Sequence, residues 1–262
     1  MNMLEILNFN YFLWVAFIPI SIYVVYYLLK GLTEKQKFYF LFGLTVFAWI
    51  VHFSRYWLEP NLNMYNMFFT DFCGFSTLLY PFFMISKKKI FKDYMFYLGG
   101  VMAMAAVFYP HPIIDKDILA FNSIRFYLAH LILVMVPMLL VMWKMHVPNI
   151  KNLGWMFLML IMGAIYNMAL SAFFVEVGLR DDLANYMGAW GNTEDFFEVA
   201  QIIAPWITYT KVVDGVTITN PIPLLYIIPA GAVFLFPFWS LMTLPFIKKE
   251  NNYVYKLFTK TV

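Results

Sequence analysis

A thiol, an imidazole and a few polar partners stand out in this sequence, each in an otherwise apolar stretch. Cys73, in TDFCGF, is the only cysteine in the chain, and Asp71 stands two positions before it. His130 interrupts the apolar run FYLAHLILVMVP, and Asn167 lies inside another. A thiol and a histidine within reach of each other support acyl transfer. The thiolate attacks an ester carbonyl, the imidazole takes the thiol proton and later gives it to the leaving group, and a third polar group orients the imidazole. Asn167 or Asp71 suits that third role. Asn167, Arg55 or backbone amides near Gly74 could face the tetrahedral oxyanion. Arg55, three residues after His52, and Arg125 suit the anionic part of a lipid, because a guanidinium forks around a phosphate. Simpler roles stand beside these. A lone membrane cysteine packs as a small hydrophobe. A membrane histidine can be a hydrogen-bonded strut between helices, and His52 with Arg55 can be an interfacial anchor.

The composition says which elements must position such residues. Of 262 residues, 63% are apolar and only 13% are charged, whereas soluble domains carry about a quarter charged residues. The chain is an integral membrane protein. One cysteine excludes an internal disulfide, and a net charge of +3 gives no reason to expect nucleic acid. There is no P-loop, GxGxxG, HExxH or CxxC pattern, so neither a cofactor nor a metal is expected. The N-terminus has no basic region ahead of an apolar core and no small-residue cleavage site, so its first apolar segment reads as a retained span.

A bilayer core takes about 20 apolar residues per helix. On that rule the fold is an all-α bundle of about seven spans in one polytopic domain covering residues 1–262: Tyr11–Leu29, Phe38–Leu58, Tyr65–Ser86, Tyr94–Tyr109, Ser123–Trp143, Leu153–Val175 and Ile222–Ile247. The fourth is short and carries Gly99 and Gly100, which predicts a thin or bent helix. Pro19, Pro81, Pro137, Pro229 and Pro237 fall inside spans, where each removes a backbone donor that neighbouring helices must make good. The loops after spans one, three and five and the C-terminal tail hold most of the lysines, including Lys87, Lys88 and Lys89, which places the N-terminus outside and the C-terminus in the cytoplasm. All the arginines, Arg55, Arg125 and Arg180, fall on the outer side. With that orientation Cys73, His130, Asn167 and His52 lie on four helices at one depth, roughly 9–12 Å below the outer surface. His111 and His146 fall in loops and are expected to be solvated.

The long outer loop, 176–221, reads as a small extracellular cap. Thr193–Trp206 has acids in its first turn and a spaced apolar face, as an interfacial helix does. The next stretch alternates around Asp214-Gly215, a hairpin turn signal. Such a cap can be a lid over an outward cavity or a structural loop.

The order of these features resembles that of the YwaF-like integral membrane proteins of bacteria and their eukaryotic relatives, the transmembrane protein 164 family. The similarity runs from about Phe38 to Pro221 and is carried by FFTDFCGFSTLLYPFF, SIRFYLAHLILVMVPMLLVMW and IYNMALSAFFVEVGLRDDLANYMGAW. The family too places a cysteine early in one span and a histidine two spans later in a helix with tyrosine and proline. An Asn-Tyr-Met-like segment follows the next span, here Asn185-Tyr186-Met187. The resemblance implies a polytopic bundle whose eukaryotic members are phospholipid acyltransferases that form ether phospholipids with polyunsaturated chains. It carries the cysteine and histidine roles onto Cys73 and His130 only. Relatives often keep a histidine beside the cysteine, whereas here the neighbours are Asp71 and Gly74. The expectation is an acyltransferase or lipid-ester hydrolase of the bacterial cell membrane with a membrane lipid as substrate. The alternative is a non-catalytic binding or transport protein using the same polar pocket.

Overall fold

A computed structural model of the chain describes residues 3–59, 62–180, 208–213, 216–221, 235 and 237–242. The helices are α1 (Phe9–Leu29), α2 (Glu34–Phe53), α3 (Arg55–Leu58), α4 (Phe72–Ile85), α5 (Lys89–Tyr94), α6 (Gly100–Phe108), α7 (Phe121–Met142) and α8 (Leu153–Glu176). A π-helical turn, Met95–Gly99, joins α5 to α6 into one run. Among the described residues, five helical stretches are long and apolar enough to cross a membrane: Phe9–Leu29, Glu34–Leu58, Lys89–Phe108, Phe121–Met142 and Ile150–Glu176. The chain divides into two compact units, Met1–Val147 and Pro148–Val262.

The second unit contains α8 and an antiparallel ribbon of β1 (Thr208–Val213) and β2 (Val216–Pro221), with Val213 opposite Val216. That register leaves two residues between the strands, where the sequence has Asp214-Gly215. The expected helix over 193–206 lies outside the described residues, as does most of the predicted seventh span, of which residues 235 and 237–242 are helical. Within this unit the Trp239 ring meets Phe157 edge-on at 5.3 Å.

Helix starts follow local polar signals. Asn8 caps α1 by accepting from the Tyr11 N–H. Thr33 and Gln36 form a reciprocal capping box at α2. In the first unit α7 runs through the middle, packed by α1, α2, α4 and α6. Trp14 of α1 stacks flat on Tyr127 of α7, with centroids 4.4 Å apart, while Phe12, Tyr23 and Tyr27 on α1 are exposed as lipid-facing side chains are. The fourth predicted span is longer than its sequence suggested, starting at Lys89 rather than Tyr94. A π turn that ends at Gly99 interrupts its α-helical pattern.

Two of the internal prolines create the main polar ties between helices. Pro81 has no N–H to offer the Thr77 carbonyl one turn back, and the Trp49 indole N–H of α2 donates to that carbonyl at 2.8 Å. Pro137 leaves the Leu133 carbonyl in the same state. The Tyr80 hydroxyl of α4 lies 3.0 Å from it and 3.0 Å from the Met95 carbonyl in the π turn, so one O–H serves two helices. Gly99 has no side chain because the Tyr80 ring and hydroxyl occupy the space a Cβ would need, and a Cβ at Gly100 would lie 3.3 Å from the Pro137 ring. The double glycine is therefore the place where α6 closes on α4 and α7.

One expectation is overturned. His146 is not solvated: its Nε2 lies 2.8 Å from Oδ1 of Asp93, with side-chain exposures of 3% and 0%. The chain folds back sharply after α7, where the Met145 and His146 amides both donate to the Leu140 carbonyl, and that turn carries the imidazole inward onto α5.

Tyr80→Phe leaves the buried Leu133 carbonyl without a donor, while the Met95 carbonyl keeps the Gly100 N–H, and should cost about 1–3 kcal/mol. Pro137→Ala returns an N–H to Leu133, so Tyr80→Phe should cost less in that background. Thermal unfolding of the four variants in detergent checks this; an equal cost in both backgrounds would show that Tyr80 does not serve the proline-freed carbonyl.

Candidate active site

The walls of one cavity come from three helices and a short extended segment of the first unit. Ala48, Val51, His52 and Arg55 recur at intervals of three and four along one face of α2 and its continuation α3. Arg125, Ala129, His130 and Leu133 do the same on α7. The first turns of α4 contribute Cys73, Gly74 and Thr77, and Phe68, Phe69, Thr70 and Asp71 close the side. The enclosed space is about 80 Å³, enough for several waters or one small polar group. A whole lipid cannot fit in it.

The predicted third span, Tyr65–Ser86, begins seven residues later as a helix than the sequence suggested. A short 3₁₀ turn, Met64–Met67, is followed by extended chain, and α4 starts only at Phe72. Two contacts hold that chain out of the helix. His52 donates from Nε2 to the Met67 carbonyl at 2.9 Å, and its ring stacks on Phe69 with centroids 4.1 Å apart. Asp71 then caps α4, its Oδ1 accepting from the Gly74 N–H. A Cβ at Gly74 would lie 3.2 Å from both that oxygen and the Phe69 Cα, so glycine permits the tight entry.

Cys73 is consequently in the first helical turn of α4 and half-buried. The leading N–H groups of a helix have no intrahelical acceptors, so those of Phe72 and Cys73 are not used within α4. Thr77, one turn on, donates to the Cys73 carbonyl at 2.8 Å. His130 is buried in α7, and its Nδ1 lies 2.7 Å from the Phe126 carbonyl. A carbonyl only accepts, so Nδ1 carries the proton and Nε2 of the neutral ring keeps its lone pair.

Six of the seven expected site residues thus line one cavity: His52, Arg55, Asp71, Cys73, Arg125 and His130. Asn167 is buried in α8, in the second unit. Two of the six are also committed to structure, His52 through Met67 and Asp71 as the helix cap. One further charged residue beside the cavity was not singled out by sequence. Glu59 closes a two-point fork with Arg55, Oε1 to Nε at 2.9 Å and Oε2 to the second guanidinium nitrogen at 3.0 Å, and lies 3.7 Å from Nε of Arg125. The spacing Arg55–Glu59, one helical turn, was the signal that could have found it.

Among the described residues, no group of His, Cys, Asp and Glu is arranged to hold a metal ion. Five membrane-length helices among the described residues define a multi-pass membrane protein. The chain belongs to the TMEM164 family, whose family model matches residues 5–243. No curated protein and no solved structure matches it.

Asp71→Ala removes the α4 cap and should cost about 1 kcal/mol, whereas Asp71→Asn keeps a capping oxygen and should cost far less. Unfolding temperatures of the two variants read the cap. Lipid turnover by Asp71→Asn, compared with wild type, then reads whether the negative charge itself takes part; a capping role predicts unchanged turnover.

Proposed function

We propose that the protein transfers acyl groups between lipids, or from lipid to water, through Cys73 and His130. The observation that carries this reading is that both residues line one cavity while the Phe126 carbonyl fixes the His130 tautomer with Nε2 as the basic nitrogen. In the first half-reaction Nε2 removes the thiol proton as sulfur attacks the ester carbonyl. The resulting oxyanion takes hydrogen bonds from the open amides at the start of α4. Collapse expels the alcohol of the first lipid, which leaves with the proton from His130, and a thioester remains on Cys73. In the second half a lipid hydroxyl, or water, gives its proton to Nε2 and attacks the thioester, which restores the thiol. The small cavity suits the ester and its neighbouring polar atoms, with the tails remaining in the surrounding hydrocarbon.

Arg125 gives the cavity its affinity for the anionic part of the lipid, with Arg55 beside it in its fork with Glu59. Membership of the TMEM164 family supports a lipid-directed activity. The lysine distribution supports an outer N-terminus, a cytoplasmic C-terminus and a cavity that opens toward the outer leaflet. Asn167 would contribute to this chemistry only if α8 lies against the cavity.

In cells lacking the native gene, wild-type protein should restore the lipid profile, and Cys73→Ser and His130→Ala should not. His130→Ala should slow acylation of Cys73 by about 10²–10⁴-fold, the usual scale for a lost general base. Trapping the hydroxylamine-sensitive acyl-enzyme measures that step. Full restoration by both variants would overturn the catalytic reading.

A further inference from the structure

The charges at the cavity are not equivalent, and their pairing has a consequence for the ligand. Arg55 is satisfied by both oxygens of Glu59 at 2.9 and 3.0 Å, with side-chain exposures of 15% and 12%. One oxygen of Asp71 accepts from the Gly74 N–H at the positive end of α4, and its charge also acts on Arg125. Arg125 is different. Among the described residues its ionic partner is Glu59 at 3.7 Å, beyond hydrogen-bond reach, and its buried Nε has no hydrogen-bond partner. A buried guanidinium nitrogen without an acceptor carries the full desolvation cost of its N–H. The remaining groups on the wall are neutral: Thr70, Thr77, Cys73 and the two imidazoles, each of which donates to a backbone carbonyl.

We infer that Glu59 is a specificity-determining residue that neutralises Arg55 and leaves Arg125, among the described cavity residues, as the cation without a hydrogen-bonded carboxylate, so that the cavity selects lipids bearing one negative charge on a phosphodiester over those bearing a doubly charged phosphomonoester. This rests on the lipid reading of the same cavity. A phosphodiester brings one charge and two open oxygens to Arg125. A phosphomonoester brings close to two charges at neutral pH, and the second meets an arginine whose charge Glu59 already balances. Glu59 acts through the two arginines and does not itself line the cavity, so it is a positioning residue. Its distinguishing property is that its effect follows charge and not shape.

The test uses binding alone, in the Cys73→Ser background where no turnover takes place. Purified full-length protein in detergent is given lysophosphatidylglycerol and lysophosphatidic acid in competition, and native mass spectrometry reads the bound ratio. The starting protein should favour the phosphodiester. Glu59→Gln should move the ratio toward the phosphomonoester by about tenfold, equivalent to about 1.4 kcal/mol. The paired change Arg55→Gln with Glu59→Gln removes both members of the fork and should return the ratio to its starting value, an outcome that a purely structural role for Glu59 does not produce. Arg125→Gln should weaken both lipids. An unchanged ratio in folded Glu59→Gln protein overturns the inference. If Glu59→Gln does not fold, the paired variant and Arg125→Gln decide: a shifted ratio in the first, or full binding of both lipids in the second, overturns it. Loss of selectivity with lipid turnover intact in the wild type removes only this inference, whereas absent turnover removes the acyl-transfer reading whatever the binding ratio.

Discussion

A backbone carbonyl without a donor is tolerable in water and costly in hydrocarbon. That constraint organises the first unit. Pro81 and Pro137 each free a carbonyl, and in each case a side chain from another helix supplies the donor: Trp49 reaches from α2 to α4, and Tyr80 from α4 to α7. The two donors connect α2, α4 and α7 in series. These are the three helices whose faces meet at the cavity, so the proline sites that might have weakened the bundle fix the relative placement of His52, Cys73 and His130. Tyr80 also tethers the π turn through Met95, which brings the α5–α6 run into the same frame.

Above that frame the polar groups hold one another in definite states. Each of the two cavity imidazoles has one nitrogen on a backbone carbonyl and so a defined tautomer. Asp71 and Gly74 make the abrupt turn that starts α4 beside the extended segment, and the thiol follows within one residue of that start. Rigid partners behind each reactive side chain are what a preorganised site needs, since a misplacement of about 1 Å can cost 100-fold in rate. The arginines belong to the same arrangement. Glu59 holds Arg55 in a two-point fork and stands 3.7 Å from Arg125.

Much of this was readable in the sequence, for reasons that also explain the misses. Apolar runs long enough to span a membrane are a one-dimensional signal, and the helices from α1 to α8 fall close to where that signal places them. The hairpin strands follow from alternation around Asp214-Gly215. The start of α4 was misread because Tyr65, Met67, Phe68 and Phe69 are apolar: hydropathy continues through a segment that His52 and the Asp71 cap hold extended. His146 was taken for a loop residue because its burial depends on Asp93, 53 positions earlier, and no local pattern reports such a partner. The convergence of Cys73, His52 and His130 could be suggested by equal depth, but only packing decides which faces turn inward. The partners of the freed carbonyls, Trp49 and Tyr80, were invisible for the same reason.

The length of α4 has an effect on the lipid itself. Its 14 residues span about 21 Å, against a hydrocarbon core about 30 Å thick. The Lys87-Lys88-Lys89 run that follows holds its C-terminal end at one membrane surface, so the end carrying Cys73 stops short of the other by roughly 9 Å. A bilayer meets such hydrophobic mismatch by thinning beside the short helix, at a cost of fractions of a kcal/mol per ångström. Thinning of that kind beside α4 would lower the glycerol esters, which mark the edge of the hydrocarbon, toward the level of Cys73. On the acyl-transfer proposal, such a deformation would bring a lipid ester part of the way to a cavity too small to admit a whole lipid.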